Sequence, residues 1–154
     1  MMGLFTTINI ASSGMSASRM RMDVISNNIA NAETTRTTEG GPFQRSRVVQ
    51  RPIVQNPYWR SPFLPQALDN GAGQGVRVTR IERDNSPPIL RYDPTHPDAI
   101  QEGARAGYVE MPNVVLVNEM ADLISASRAY EANATLVESA RSSFQRALQI
   151  GSGQ

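Results

Sequence analysis

All ten prolines of this 154-residue chain lie between Pro42 and Pro112, and segments 1–41 and 113–154 contain none. A proline inside a helix costs about 3 kcal/mol, because it lacks a backbone donor and its ring clashes with the preceding turn. The distribution permits long uninterrupted helices at both ends and discourages them between.

The N-terminal segment has the matching periodicity. Met1, Leu4, Ile8, Ala11, Met15, Ser18, Met22, Ile25, Ile29 and Ala32 alternate by three and four, and only Ser18 among them is polar. That is a heptad seam, and it predicts a helix over about residues 5–31, roughly 40 Å long. Thr6, Asn9, Ser12, Arg19, Arg21, Asp23 and Asn27 fall on the other faces. Gly14 weakens the helix by about 1 kcal/mol relative to Ala, and Asn27, Asn28 and Asn31 mark its exit. At the other end, Leu116, Met120, Leu123, Ser127, Tyr130, Ala134, Val137, Arg141, Phe144 and Leu148 follow the same alternation. They predict a helix over about 114–149, with Asn113 placed to cap its start and Gly151 to end it.

The expected fold class is mainly α with a small β middle. The two terminal helices are expected to pair as an antiparallel coiled coil, with short strands and a proline-rich loop between them. The expected division is 1–34 for the N-terminal helix, 35–107 for the middle, and 108–154 for an extended lead-in and the C-terminal helix. Phe43–Gln50 reads as a strand after the Gly40-Gly41-Pro42 turn, and Gly75–Ile81 as a strand with period two. Asp84–Pro88 reads as a turn, and Ile89–Tyr92 as the return strand. The stretch of about 53–74 carries Pro57, Pro62 and Pro65 and reads as a loop.

Composition bears on how such a pair is stabilised. Leu, Ile, Val and Phe together make up 33 of the 154 residues, just above the ~20% at which chains stop burying enough surface to fold alone. A periodic seam ordinarily faces its own chain's core. Two seams this long, rich in Ala, Ser and Met and flanking a middle poor in large apolar residues, shift the reading towards packing between molecules.

Little in the chain carries chemistry. There is no Cys, and all 15 basic residues are Arg. Disulfides, thiolate nucleophiles and Schiff-base lysines are thereby excluded. Net charge is +1, without a run of like charges to attract nucleic acid or a membrane surface. Arg77, Arg80, Arg83 and Arg91 make only a modest basic edge without interleaved aromatics. No apolar run is long enough to span a membrane, and no ordinary secretory signal is expected. His96 is the only histidine. It sits between Pro94 and Pro97, where local hydrogen bonding is the default over a catalytic or metal cluster with Asp93 and Asp98. Gly71–Gly75 precedes a strand rather than a helix, so a linker is expected there rather than a phosphate loop. Glu119, Asp122, Glu131 and Glu138 are expected on a solvated surface. Tyr58, Trp59 and Phe63 either pin the loop to a small core or contact a neighbouring subunit. No catalytic, cofactor-binding or metal-binding residue is expected, and no enzyme.

Longer motifs then carry a resemblance. Ser26-Asn27-Asn28-Ile29-Ala30-Asn31-Ala32, followed by Thr34 and Thr35, resembles the signature shared by flagellar rod, hook and hook-associated proteins. Further blocks follow in order: Gly40-Gly41-Pro42-Phe43, Tyr92-Asp93-Pro94-Thr95-His96-Pro97-Asp98-Ala99, Gly107-Tyr108-Val109-Glu110-Met111-Pro112-Asn113-Val114, Glu119-Met120 and Ser127-Arg128-Ala129-Tyr130-Glu131-Ala132-Asn133. Together they resemble the basal-body rod branch of the flagellar axial protein family. Asn28, Ala30, Asn31, His96, Pro97, Asp98, Gly107, Tyr108, Pro112, Asn113, Glu119, Arg128, Tyr130 and Asn133 are the family-motif positions this marks.

The resemblance implies a structural subunit of the proximal rod, a helical tube that transmits torque and walls the export channel. It implies type III flagellar export and a place in the basal body, with the rod in the periplasm. The implied partners are further copies of itself, other rod proteins, the export gate and membrane-ring components. The interface residues expected on this view are Ile8, Met15, Met22, Ile25 and Ile29 on the first helix. On the second they are Leu116, Met120, Leu123, Tyr130, Val137, Phe144 and Leu148. The alternatives are another flagellar rod or hook subunit and a soluble coiled-coil adaptor.

Overall fold

A computed structural model describes residues 2–53 and 74–151. The order is α1 (Met2–Ala30), β1 (Ser46–Pro52), β2 (Val76–Arg83), β3 (Ile89–Tyr92), β4 (Tyr108–Met111) and α2 (Leu116–Gly151). The fold is mainly helical, with two small antiparallel strand pairs between the helices. The proline-rich loop and its aromatics Tyr58, Trp59 and Phe63 lie outside the described residues.

The helices form where proline is absent, as their 29 and 36 residues show. The asparagines end α1 as side-chain donors that compete with the helix ladder. Asn31 donates from Nδ2 to the Asn27 carbonyl at 2.9 Å, and its backbone carbonyl then accepts from Thr34. The two helices run antiparallel, as contacts along their length require. Phe5 meets Phe144 edge-on, with centroids 6.3 Å apart. Gly14 lies against Asn133, and Asn28 bonds Glu119.

The line of contact differs from the large-apolar seam expected on α2. The buried residues of that helix are Glu119, Ala126 and Ala140, whereas Leu116, Met120 and Leu148 are exposed. Leu123 and Val137 lie half-buried at the border, and Tyr130 and Phe144 just outside it. On α1, Ala11, Ser18 and Ile25 from the expected seam are buried, joined by Ala17, Val24 and Asn28, while Ile8, Met15, Met22 and Ile29 are half-buried. The physical reason is close approach. Small side chains let two helix backbones come near each other, so the ridge carrying Ala, Gly and Ser turns inward and larger residues are displaced to the flanks.

Strand pairing also departs from expectation. β1 pairs with β2, from Ser46 opposite Arg83 to Pro52 opposite Val76, with a bulge at Val49–Gln50. Ile89–Tyr92 does not return onto β2. It pairs with Tyr108–Met111, the segment expected only as an extended lead-in to α2. Gly107 makes that pairing possible. Its φ is +82°, and a Cβ there would stand 2.9 Å from the Tyr92 ring. The rings of Tyr92 and Tyr108 pack edge-on, 5.2 Å apart. Val109 on β4 is fully buried, and Pro112 and Val114 continue that cover into α2.

Candidate functional site

Where the helix pair meets the β middle, four separated segments converge on a buried polar clamp. Glu119, in the first turn of α2, is 1% exposed, as is Asn28 near the end of α1. Asn28 donates from Nδ2 to Glu119 Oε2 at 3.0 Å and to the Ser46 carbonyl at 2.8 Å. Its Oδ1 accepts from the Ser46 amide at 2.9 Å. Arg45 donates from Nε to Glu119 Oε1 at 2.6 Å and reaches Asp122 at 3.6 Å. The Arg45 backbone amide donates to Asn113 Oδ1 at 3.0 Å, and the Arg45 carbonyl accepts from the Asp84 amide at 2.7 Å.

A buried carboxylate is tolerated only when its lone pairs are filled. Here both oxygens of Glu119 are engaged, one by a cation and one by an amide. Among the described residues, no buried side-chain nitrogen or oxygen is left without a partner.

Two expectations are corrected at this clamp. Glu119 is a buried link rather than part of a solvated face. Asn113 is not the cap of α2, because its side-chain oxygen is taken by the Arg45 amide. The first turn is instead organised by the Val115 carbonyl, which accepts from the amides of Asn118 and Glu119. The sequence reading placed Arg45 and Ser46 only in a strand and took Gly14 only as a weak point of the first helix. One signal was available: Glu119, Ala126, Asn133 and Ala140 recur every seven residues beside the large-apolar line.

The remaining motif residues hold local geometry. Asp98 Oδ2 accepts from the Thr35 hydroxyl at 2.7 Å and its Oδ1 lies 3.9 Å from Arg36, tying the segment after α1 to the turn before β4. His96 accepts through Nδ1 from the Asp98 amide. The Asp93 carboxylate turns to Thr95 and Arg91. Asp93, His96 and Asp98 therefore point into separate local bonds and do not converge. Asn133 donates to the Ala129 carbonyl within its own helix and faces Gly14. Ala30, Arg128 and Tyr130 are exposed.

Among the described residues, perturbed titration is found at exposed groups in turns and at the end of β2. The Ser86 hydroxyl and amide hold the Asp84 carboxyl below its ordinary value, and the Thr95 hydroxyl does the same for Asp93. Glu39 is lowered by its bond to Arg83, a two-pronged surface pair at 2.7 and 3.2 Å.

The helix pair also leaves a large apolar surface open. Val115, Leu116, Val117, Met120 and Ile124 crowd the start of α2, all of them exposed, with Val117 at 74%. Phe5, Ile10 and Met20 on α1, and Leu136, Leu148 and Ile150 on α2, add to it. Leu116, Met120 and Ile124 stand four residues apart on one helix face, and an exposed apolar stripe of this kind marks a protein contact. No helix among the described residues is long and apolar enough to cross a membrane.

A chain whose two ends are long helices packed together, with a clamp at one end and open apolar flanks, is built as a subunit for assembly. Sequence comparison agrees at both ends. Residues 8–36 match the family described as flagella basal body rod protein, and residues 105–150 match the flagellar basal body rod FlgEFG protein C-terminal family. The class is thus a structural protein of the flagellar rod. Over 99% of its length the chain is 60% identical to the whole of the flagellar basal-body rod protein FlgC of Borreliella burgdorferi. It is 40% identical to FlgC of Bacillus subtilis and 32% identical to FlgC of Salmonella typhimurium, covering 97% of this chain and 99% of the relative in each case. The chain belongs to the FlgC family of flagellar basal-body rod proteins.

Proposed function

We propose that this rod subunit is built into the proximal rod. There it polymerises with copies of itself and with other rod proteins into a helical tube that transmits torque and forms the wall of the export channel. Its helices pair in coiled-coil fashion within that tube. It reaches its place through flagellar type III export, ends in the periplasm, and meets the export gate and membrane-ring components at the base. The exposed apolar residues flanking the small-residue contact line support this reading. They lie on both helices, and head-to-tail contacts between unlike surfaces build an open helical polymer where the rotation between subunits does not close into a ring. Ile8, Met15, Met22, Ile25, Ile29, Leu123 and Val137 serve the pair from its half-buried borders and inner line. Leu116, Met120, Tyr130, Phe144 and Leu148 are the positions on α2 that neighbouring subunits cover.

Leu116→Asp tests this, since Leu116 is 47% exposed. The isolated variant is expected to keep its stability within about 0.5 kcal/mol, as exposed substitutions usually do. It should fail to co-purify with detergent-extracted basal bodies and leave cells non-motile. Normal rods and motility in the strain carrying it would remove Leu116 from the interface.

A further inference from the structure

We propose that the outer face of the β1–β2 pair is an assembly surface, whose arginines receive Glu131 and Glu138 of α2 from a neighbouring copy of this chain. Residues opposite each other in an antiparallel ladder point to the same side. The register therefore gathers Arg47 with Glu82, Val49 with Arg80, and Arg51 with Arg77 on one face. Val48 and Gln50 alternate to the other side, where they line a cleft with Val24 and Ile25 of α1. Arg47, Arg51, Arg77 and Arg80 are all exposed. Glu82 is the one carboxylate on their face, 3.5 Å from Arg47 and 3.4 Å from Arg80. Among the described residues, Arg51 and Arg77 have no ion-pair partner, although they stand directly opposite each other. Like charges placed so destabilise a strand pair, and an acidic neighbour offsets that repulsion.

The same chain carries the matching anions. Glu131 and Glu138 are exposed and stand two turns apart on one face of α2. Glu131 accepts only from the Ser127 hydroxyl, at 3.3 Å. Arg128 and Arg141 lie three residues to either side, yet among the described residues neither forms an ion pair with them. No Cα of β2 lies within 8 Å of one in α2, and no ion pair joins the two elements, so the charges meet only between molecules. Their spacings agree. Arg77 and Arg80 are about 10 Å apart along the strand, and Glu131 and Glu138 about 10 Å apart along the helix. A strand laid along the helix engages both carboxylates. Exposed ion pairs contribute little energy singly, but across an interface they select the partner and its orientation. The inference rests on the self-assembly proposed above. It concerns a surface separate from the apolar flanks, so its failure would leave the reading as a rod subunit intact, and the Leu116→Asp result does not decide it.

Charge exchange in the assembled rod tests this. Strains carrying Arg51→Glu with Arg77→Glu, or Glu131→Arg with Glu138→Arg, are expected to lose motility and to yield few rods in detergent-extracted basal bodies. The strand pair itself exchanges one like-charge pair for another, so its own repulsion is unchanged. The chain carrying all four substitutions is expected to regain rods and motility. Cross-linking gives a second reading that needs no charge reversal, because the chain has no cysteine. Arg77→Cys and Glu138→Cys subunits expressed together are expected to join through a short bis-maleimide in extracted basal bodies, giving a dimer that holds one of each. Either subunit expressed alone should give none. Normal rods in either charge-reversed pair overturn the proposal. So does a fourfold variant no better than the pairs, which would assign the arginine face to a different partner, and so does the absence of the mixed dimer.

Discussion

Asn28 and Glu119 are 91 positions apart in the chain, yet an amide hydrogen of one lies on a carboxylate oxygen of the other at 3.0 Å, with both side chains closed to solvent. This bond joins the last turns of the first helix to the first turn of the second. Through Arg45 and Ser46 it also ties both helices to the start of β1. Most of the other buried side chains are small or apolar.

Truncating one partner of such a clamp exposes the cost of the other. Glu119→Ala leaves the Arg45 guanidinium without its 2.6 Å partner and the Asn28 amide with one bond fewer. The expected loss is about 3–5 kcal/mol. Glu119→Gln keeps the volume and should lose only about 1–2 kcal/mol. Urea unfolding of the two variants checks the order, and an equal loss in both would show that the charge carries the whole effect and that the volume and hydrogen bonding kept by Gln contribute nothing.

Gly14→Ala should destabilise, although Ala is the better helix former by about 1 kcal/mol. The added methyl would meet Asn133 Nδ2 at 2.8 Å and Oδ1 at 3.0 Å. Overpacking of this kind costs about 1–3 kcal/mol. Asn133→Ala in the same chain should restore the stability and uncover the gain in propensity. Thermal melts of the two single variants and the double variant measure the coupling.

Asn113→Ala separates a loop link from a helix cap. Its oxygen accepts from the Arg45 amide, so the variant should lose about 1–3 kcal/mol through an unpaired backbone donor. The amides of Asn118 and Glu119 should exchange no faster relative to the rest of the chain, because they bond the Val115 carbonyl. Selective loss of protection in the first turn of α2 would reinstate the cap.

The surface turns respond to acid in a defined direction. Asp84 and Asp93 have folded values held below the ordinary 3.8. A carboxyl lowered on folding contributes stability in full above its unfolded value and loses it as pH falls through the folded one. The two turns are therefore intact at neutral pH and loosen only below about pH 4. Carbon-13 titration of the carboxyls checks this. Ser86→Ala should raise the Asp84 midpoint and leave that of Asp93 in place.

The sequence by itself determined that two helices occupy the ends, because proline is confined to 42–112 and the apolar period runs through both remaining segments. It determined the strand character of 76–81, since alternation of period two is a local property. The motifs around Asn28, His96–Asp98 and Glu119 were also enough to place the chain among flagellar axial proteins. Only the tertiary structure decided which ridge of α2 turns inward. Periodicity defines a stripe by its largest apolar members, whereas packing is governed by how near two backbones can come, and that favours Ala126, Ala140 and Gly14. The partner of β3 was likewise decided non-locally, by a glycine that leaves room for the Tyr92 ring. The burial of Glu119 could not be read from its neighbours, because Asn28 and Arg45 reach it from 91 and 74 residues away. A carboxylate looks solvent-facing in sequence until distant donors are folded onto it.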